Sequence, residues 1–433
     1  MPKKLAIFCD GTWNELRMPV PTNVSRLAKC VKTVSDAGVP QIVFYDEGVG
    51  VGSGIKLVDS GVRWLGGALG KGLEAKIESA YRFIVLNYDP GDDIYLFGFS
   101  RGAYTARSIC GLIRKCGILR RDSVNRVPDA MDLYRSPDHP NHPTVVEFRK
   151  TFAHALAAGV EDYDRLGIEA HERRHSPETL EHLYQYRPER SYRMMYLGLW
   201  DTVGSLGVPD RFGFLKWANR KHQFHDTRAS VLLSSIRHAV AIDENRRVFS
   251  STPVENVADL NRVWAARTGW DVTNGDDPQF VPFDWRPYQE RWFPGDHGAV
   301  GGGNPQLGLS SIALEWIAQG AQNAGLDLYW TPGLDLSNAQ EWANPCANWH
   351  VRKDGTFKNP RETDFLGRVG GYRKRKGPGH VDEVSDCAYE RWCRDEGYRP
   401  RNLTVMRGRS CVFYSGRAGR PPARDRPAGF PGG

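Results

Sequence analysis

Ser100 lies in a five-residue motif, Gly98-Phe-Ser-Arg-Gly102, whose residue types suit nucleophilic catalysis. A serine hydroxyl attacks an ester best from a sharp turn between a strand and a helix, and small flanking residues allow that turn. The apolar run Ile94-Tyr-Leu-Phe97 precedes the motif, and a helical pattern follows it. These surroundings favour a nucleophile over an ordinary tight turn, which is the alternative interpretation.

A serine nucleophile needs a histidine that accepts its proton and a carboxylate that orients this histidine. Asp201 directly follows the apolar run 194–200, and Asp243 is the rival carboxylate. His297 lies in a glycine-rich loop between a short apolar segment and a helical pattern, so its ring could reach the serine. Position therefore predicts a triad of Ser100, Asp201 and His297, with a cap or turn role as the alternative for Asp201.

Backbone N–H groups would stabilise the oxyanion that forms when an ester is attacked. Arg101 follows the serine and is the first candidate donor. Gly11 and Thr12 follow the first strand-like run and are candidates for the second donor. His238 lies in a stretch that we interpret as helical, and we expect it to be a hydrogen-bonded structural histidine.

Strand-like and helical segments alternate around these residues. Apolar runs predict strands at 5–9, 41–45, 94–97 and 194–200, and three- and four-residue spacings predict helices at 73–88, after Ser100 with Gly117 as C-cap, and at 309–325. Residues 228–243 are expected to be helical and then extended. The alternation predicts an α/β fold that is α/β-hydrolase-like, with a mainly parallel sheet flanked by helices.

The pattern also predicts how the chain is divided. Residues 118–191 are polar and lack a clear strand, so they are expected to form a helical insertion or cap. Residues 1–403 would then form one catalytic domain. Residues 404–433 are rich in Arg, Gly and Pro and are predicted to be a flexible tail.

Composition and motifs exclude several classes of function. The 433 residues are 40% hydrophobic and 25% charged, as in a globular protein, and the net charge of +7 comes without a nucleic-acid recognition motif. The glycine-rich segments 48–53 and 65–72 miss the nucleotide-binding fingerprints. Asp10, Asp46 and Glu47 could gather a metal, but without further ligands we expect them to shape loops. We therefore predict no cofactor, metal or nucleic-acid partner.

No apolar run has the length of a membrane span, and the first apolar stretch is too short for a signal peptide. The expected product is a soluble cytoplasmic chain. Residues 212–217, an aromatic segment followed by basic residues, could touch a lipid surface, and core packing is the alternative.

Seven motifs, taken in order, resemble those of the catalytic domain of type VI secretion phospholipase effectors. They are Phe8-Cys-Asp-Gly-Thr-Trp-Asn14, Tyr45-Asp-Glu-Gly-Val-Gly50, Phe97-Gly-Phe-Ser-Arg-Gly-Ala103, Leu199-Trp-Asp-Thr-Val203, His238-Ala-Val-Ala-Ile-Asp-Glu244, Trp292-Phe-Pro-Gly-Asp-His297 with Val300-Gly-Gly-Gly303, and Tyr398-Arg-Pro400 with Asn402-Leu403. The resemblance covers about residues 4–403. One departure is that Gly298 and Ala299 replace a small polar residue and an aspartate.

The resemblance assigns the family's Ser, Asp and His to Ser100, Asp201 and His297, and implies ester hydrolysis through an acyl-enzyme. It further implies a phospholipase or lipase-like effector, export by a type VI secretion system, and a secretion-machinery or immunity partner. An esterase for a small soluble ester is the first alternative. A catalytically silent hydrolase fold used for binding is the second.

Overall fold

The computed structural model describes residues 2–11, 20–47, 68–154, 193–204, 228–230, 232–303, 307–329 and 372–408. Its centre is a parallel six-stranded sheet with the strand order β2-β1-β3-β4-β5-β6. The strands are β1 (Lys4–Cys9), β2 (Gln41–Asp46), β3 (Asp93–Phe99), β4 (Arg193–Trp200), β5 (Ile236–Ala241) and β6 (Tyr288–Phe293). The predicted α/β fold with a parallel sheet is therefore confirmed.

Nine helices of the described ranges surround the sheet. They are α1 (Asn23–Cys30), α2 (Ala68–Asn87), α3 (Arg101–Cys116), α4 (Val127–Arg135), α5 (Pro143–Phe152), α6 (Val257–Thr268), α7 (His297–Gly301), α8 (Leu307–Asn323) and α9 (Asp386–Arg394). Within β1, Leu5 and Ile7 pack against the layer that contains α2 and α3, whereas Ala6 and Phe8 pack against α1 and α8. Both faces of the sheet are thus covered, as parallel sheets require.

The described part of the predicted insertion is helical. A 3-10 turn (Arg121–Arg126) leads into α4 and α5, which contact α3 and extend the helical layer beside the sheet. Lys115 near the end of α3 donates to the carbonyl of Ser136 at 2.7 Å, which ties the insertion to that helix. Residues 155–192 lie outside the described residues.

The helix predicted within 228–243 is wrong, because β5 occupies Ile236–Ala241 and turns precede it. All six residues of β5 are buried, since strands flank it on both sides and other elements cover its faces. A strand buried in this way has no alternation of polar and apolar residues, so its pattern can be mistaken for a helix.

The segment predicted as a tail is ordered at its start. Thr404–Met406 forms a 3-10 turn, and Met406 is buried in a cluster with Trp392 and Tyr398. Residues 409–433 lie outside the described residues. None of the helices in the described ranges is long and apolar enough to cross a membrane.

The sheet topology places three of the predicted site residues at the carboxyl-terminal ends of the strands. β2 lies on one side of β1 and β3 lies on the other, so the strand order reverses between β1 and β3. Ligands in open α/β sheets bind at the carboxyl ends of strands near such a reversal. Ser100 follows β3, Asp201 follows β4 and His297 follows β6.

Candidate active site

Ser100 occupies a sharp turn between β3 and α3. Its backbone has φ 58° and ψ −120°, a conformation that non-glycine residues rarely adopt and that must be held by its surroundings. The N–H of Ser100 donates to the carbonyl of Trp200 at 3.0 Å, and its carbonyl accepts from the N–H of Val203 at 3.3 Å. The serine is thereby tied to the chain on both sides of Asp201, which follows the end of β4.

Gly98 and Gly102 permit this turn because no side chain fits at either position. A Cβ on Gly102 would lie 2.0 Å from the carbonyl oxygen of Cys9, and a Cβ on Gly98 would lie 2.4 Å from the carbonyl oxygen of Gly102. The small residues of the motif therefore allow α3 to start directly against the end of β1.

Gly102→Ala is expected to lower the free energy of unfolding by about 2 kcal/mol or more. The added methyl group would meet backbone atoms of Cys9 and Asp10, which a strand inside the sheet cannot move aside. Urea unfolding measures the effect. Gly275→Ala is the control, because a Cβ there has no atom within 4 Å and the backbone has no positive φ. Equal stabilities for the two variants would contradict the close packing of α3 on β1.

Asp201 and His297 form a buried pair. The Asp201 carboxylate is fully buried, and its Oδ2 lies 2.6 Å from Nδ1 of His297. An ionised carboxylate only accepts, so Nδ1 carries the proton and Nε2 is left to act as a base. The N–H of Ala241 donates to Oδ1 of Asp201 at 2.9 Å and holds the carboxylate in place.

The His297 ring lies between two phenylalanine rings. Its centroid is 4.6 Å from that of Phe99 and 4.5 Å from that of Phe249, and the latter pair is stacked. The backbone N–H of His297 donates to Oε2 of Glu244 at 3.2 Å. Phe99 directly precedes Ser100, so these contacts bring the histidine to the serine turn. A hydrogen bond between the Ser100 hydroxyl and His297 is not among those that the described residues form.

Arg375 is a site residue that sequence reasoning missed. Its side chain is 4% exposed, and its Nη1 and Nη2 lie 2.5 and 2.9 Å from the two oxygens of Asp201. The carbonyls of Ala241 and Phe249 accept two further hydrogen bonds from the guanidinium, at 3.0 and 2.5 Å. The sequence offered only a weak signal, because Arg375 stands in a run of four basic residues that resembles an exposed patch.

The electrostatics of Asp201 follow from these contacts. Burial alone would raise the pKa of Asp201, but the charge of Arg375 and the hydrogen bonds from His297 and Arg375 hold the pKa well below its usual range. Asp201 is therefore ionised at neutral pH, and such a carboxylate can both orient and stabilise a protonated His297.

The candidate oxyanion donors differ in their availability. Arg101 begins α3, so its N–H belongs to the positive end of that helix. The N–H of Gly11 donates to Oδ1 of Asp10 at 2.7 Å and is already occupied. Thr12 lies outside the described residues. Asp10 also accepts from the hydroxyls of Thr22 at 2.5 Å and Tyr45 at 2.6 Å, so this buried carboxylate after β1 is joined to the residue before α1 and to β2.

Asp243, the rival carboxylate, and His238 have other partners. Asp243 accepts from the N–H of Gly295 at 2.7 Å and the hydroxyl of Tyr398 at 3.1 Å, and burial raises its pKa to about 6. His238 lies in β5 with Nδ1 2.9 Å from Glu290. It is the hydrogen-bonded structural histidine that we expected, on a strand instead of a helix. The aromatic segment 212–217 lies outside the described residues.

The family model for the catalytic domain of Tle1-like type VI secretion phospholipase effectors matches residues 3–320. An uncharacterized protein of Saccharomyces cerevisiae is 26% identical over 269 residues, which cover 60% of this chain and 34% of that protein. Arg375 and the rest of the segment 372–408 lie beyond the family match.

Two solved structures are similar at 17% identity. One is an uncharacterized protein from Pseudomonas aeruginosa, with a TM-score of 0.34 over 79% of this chain and 48% of that chain. The other is the Tle1 effector bound to the VgrG spike of the type VI secretion system, with a TM-score of 0.29 over 71% of this chain and 52% of that chain. The present chain thus spans about a third to a half of the length of these three proteins.

Proposed function

This chain belongs to the family of Tle1-like type VI secretion phospholipase effectors, and from that premise we propose that it is a serine hydrolase that cleaves carboxylic esters of phospholipids through an acyl-enzyme. The observation that supports it best is the buried 2.6 Å contact between Asp201 and Nδ1 of His297, beside the strained turn at Ser100. Such a contact leaves Nε2 of His297 free to take a proton from a serine.

In the first half of the proposed reaction, the Ser100 hydroxyl oxygen attacks the ester carbonyl carbon while its proton passes to Nε2 of His297. Asp201 stabilises the resulting imidazolium. The oxyanion accepts a hydrogen bond from the N–H of Arg101, and a second donation from Gly11 would require that N–H to leave Asp10. When the carbon–oxygen bond breaks, the alcohol leaves with the proton from His297, and the acyl group stays on Ser100.

In the second half, a water molecule attacks the acyl carbonyl and gives its proton to His297. Collapse of this second oxyanion releases the fatty acid and returns the proton to the serine oxygen. The reaction needs no redox change. A partner in the secretion machinery or an immunity protein remains a prediction from the family, as does export.

The phospholipid substrate is tested with purified protein and mixed phospholipid vesicles, by measuring fatty acid release. We expect release by the wild-type protein and none by Ser100→Ala. Cleavage of short soluble esters without release from vesicles would instead support the small-ester esterase. Hydrolysis of neither substrate would overturn the proposed function and favour a silent hydrolase fold.

A further inference from the structure

The segment 372–408 reaches the candidate active site through one buried side chain. Arg375 contacts both oxygens of Asp201, whereas its neighbours Arg373, Lys374 and Lys376 are exposed. Two backbone contacts fix the chain before Arg375. Tyr372 forms an isolated antiparallel β-bridge with Arg246, and the N–H of Arg373 donates to the carbonyl of Asn245. The guanidinium is therefore held from its backbone as well as from its acceptors.

We propose that Arg375 is a positioning residue for the Asp201–His297 pair, so that the segment 372–408 belongs to the catalytic unit although it lies beyond the family match. This inference rests on the proposed function. The carboxylate accepts four hydrogen bonds, from His297, Ala241 and twice from Arg375, at 2.5 to 2.9 Å. A planar fork of two N–H groups fixes the plane of a carboxylate, which a single amide donor does not do.

The plane of the carboxylate determines where the histidine points. The two phenylalanine rings contact the His297 ring through their faces and offer it no directional hydrogen bond. Fixing Oδ2 of Asp201 fixes the position of Nδ1, and with it the direction in which Nε2 points. A displacement of a reacting group by about 1 Å can cost about a hundredfold in rate.

The charge of Arg375 also affects when His297 can act as a base. The charged groups around His297 are Asp201 at its Nδ1, Arg375 paired with Asp201, Glu244 at its backbone N–H, Arg246 paired with Glu244, and Asp296 at the start of α7. The positive charge of Arg375 repels a positive charge on the His297 ring. Loss of Arg375 removes this repulsion, so we expect the acid side of the pH–rate profile to move to higher pH.

The test compares kcat and KM of Arg375→Gln and Arg375→Lys across pH with a short soluble ester as substrate. For Arg375→Gln we expect kcat to fall about tenfold to a hundredfold, and the acid midpoint of kcat/KM to move up by about 1 pH unit or more. Arg375→Lys keeps the charge but loses the fork, so kcat should fall while the acid midpoint stays. KM should change little in both variants.

Lys374→Gln is the matched control, because it removes one positive charge from an exposed neighbour in the same segment. Its kcat and acid midpoint should equal those of the wild-type protein. A second measurement adds guanidinium ions to Arg375→Ala, which we expect to restore part of kcat by refilling the space beside Asp201.

Two results would overturn the inference. One is an unchanged acid midpoint of kcat/KM in an Arg375→Gln variant that circular dichroism shows to be folded. The other is a wild-type kcat in Arg375→Lys. This second result decides the question if Arg375→Gln does not fold. Failure of the proposed function is distinguishable, because then the wild-type protein itself would hydrolyse no ester.

Discussion

Replacing Ser100 with alanine is expected to lower kcat for ester hydrolysis by about 10⁴-fold or more, since no other group in the proposed mechanism can form the acyl-enzyme. The substitution removes one oxygen atom and adds no atom that could disturb the turn between β3 and α3. KM should therefore change far less than kcat. Steady-state kinetics on a soluble ester measure both constants.

Ser108→Ala is a suitable control for this prediction. Ser108 is also buried and lies in α3, the helix that follows Ser100. Its variant should keep kcat close to that of the wild-type protein. Activity of Ser100→Ala within tenfold of the wild type would show that another residue attacks the ester.

Replacing Asp201 with asparagine is expected to damage both catalysis and stability. Catalysis should fall by about 10³- to 10⁴-fold, because the amide no longer stabilises the protonated histidine or selects its tautomer. Stability should fall by about 3 to 5 kcal/mol, because the charge of Arg375 would remain buried without its anionic partner. Kinetics and urea unfolding of the same preparation measure the two effects.

The double variant Asp201→Asn with Arg375→Met separates the two effects. Removal of the orphaned charge should recover part of the lost stability and none of the lost activity. Because the pKa of Asp201 in the folded protein lies well below the usual carboxyl pKa of 3.8, its ionised form contributes full stability above about pH 3.8, and this contribution declines as the pH falls from there toward the folded-state pKa. Both variants should therefore lose less stability on acidification than the wild type. Equal stabilities of the single and double variants at neutral pH would contradict a charged Arg375 at this position.

The parts of the fold that the sequence predicted are those with strong local patterns. The apolar run before Ser100, the glycines beside it and the helical spacing after it describe one strand, one turn and one helix, and each of these elements forms. The stretch around His238 was mistaken for a helix because a strand buried on both faces has no alternating pattern. Its apolar residues also recur at spacings that suit a helix.

The candidate site was predictable only where chain order carries information. Asp201 and His297 follow strands, so their meeting at one edge could be expected from a parallel sheet. Arg375 could not be predicted, because its partner lies 174 residues earlier in the chain and nothing local distinguishes it from the three exposed cations beside it. The occupation of the Gly11 N–H by Asp10 likewise depends on a side-chain orientation that no pattern encodes.

The nucleophilic role of Ser100 is tested most directly by labelling with a fluorophosphonate probe, followed by mass spectrometry of the labelled peptide. We predict that the wild-type protein is labelled on Ser100 and that Ser100→Ala is not labelled at all. Labelling that persists in Ser100→Ala, or a wild-type protein that cleaves esters without being labelled on Ser100, would contradict the account.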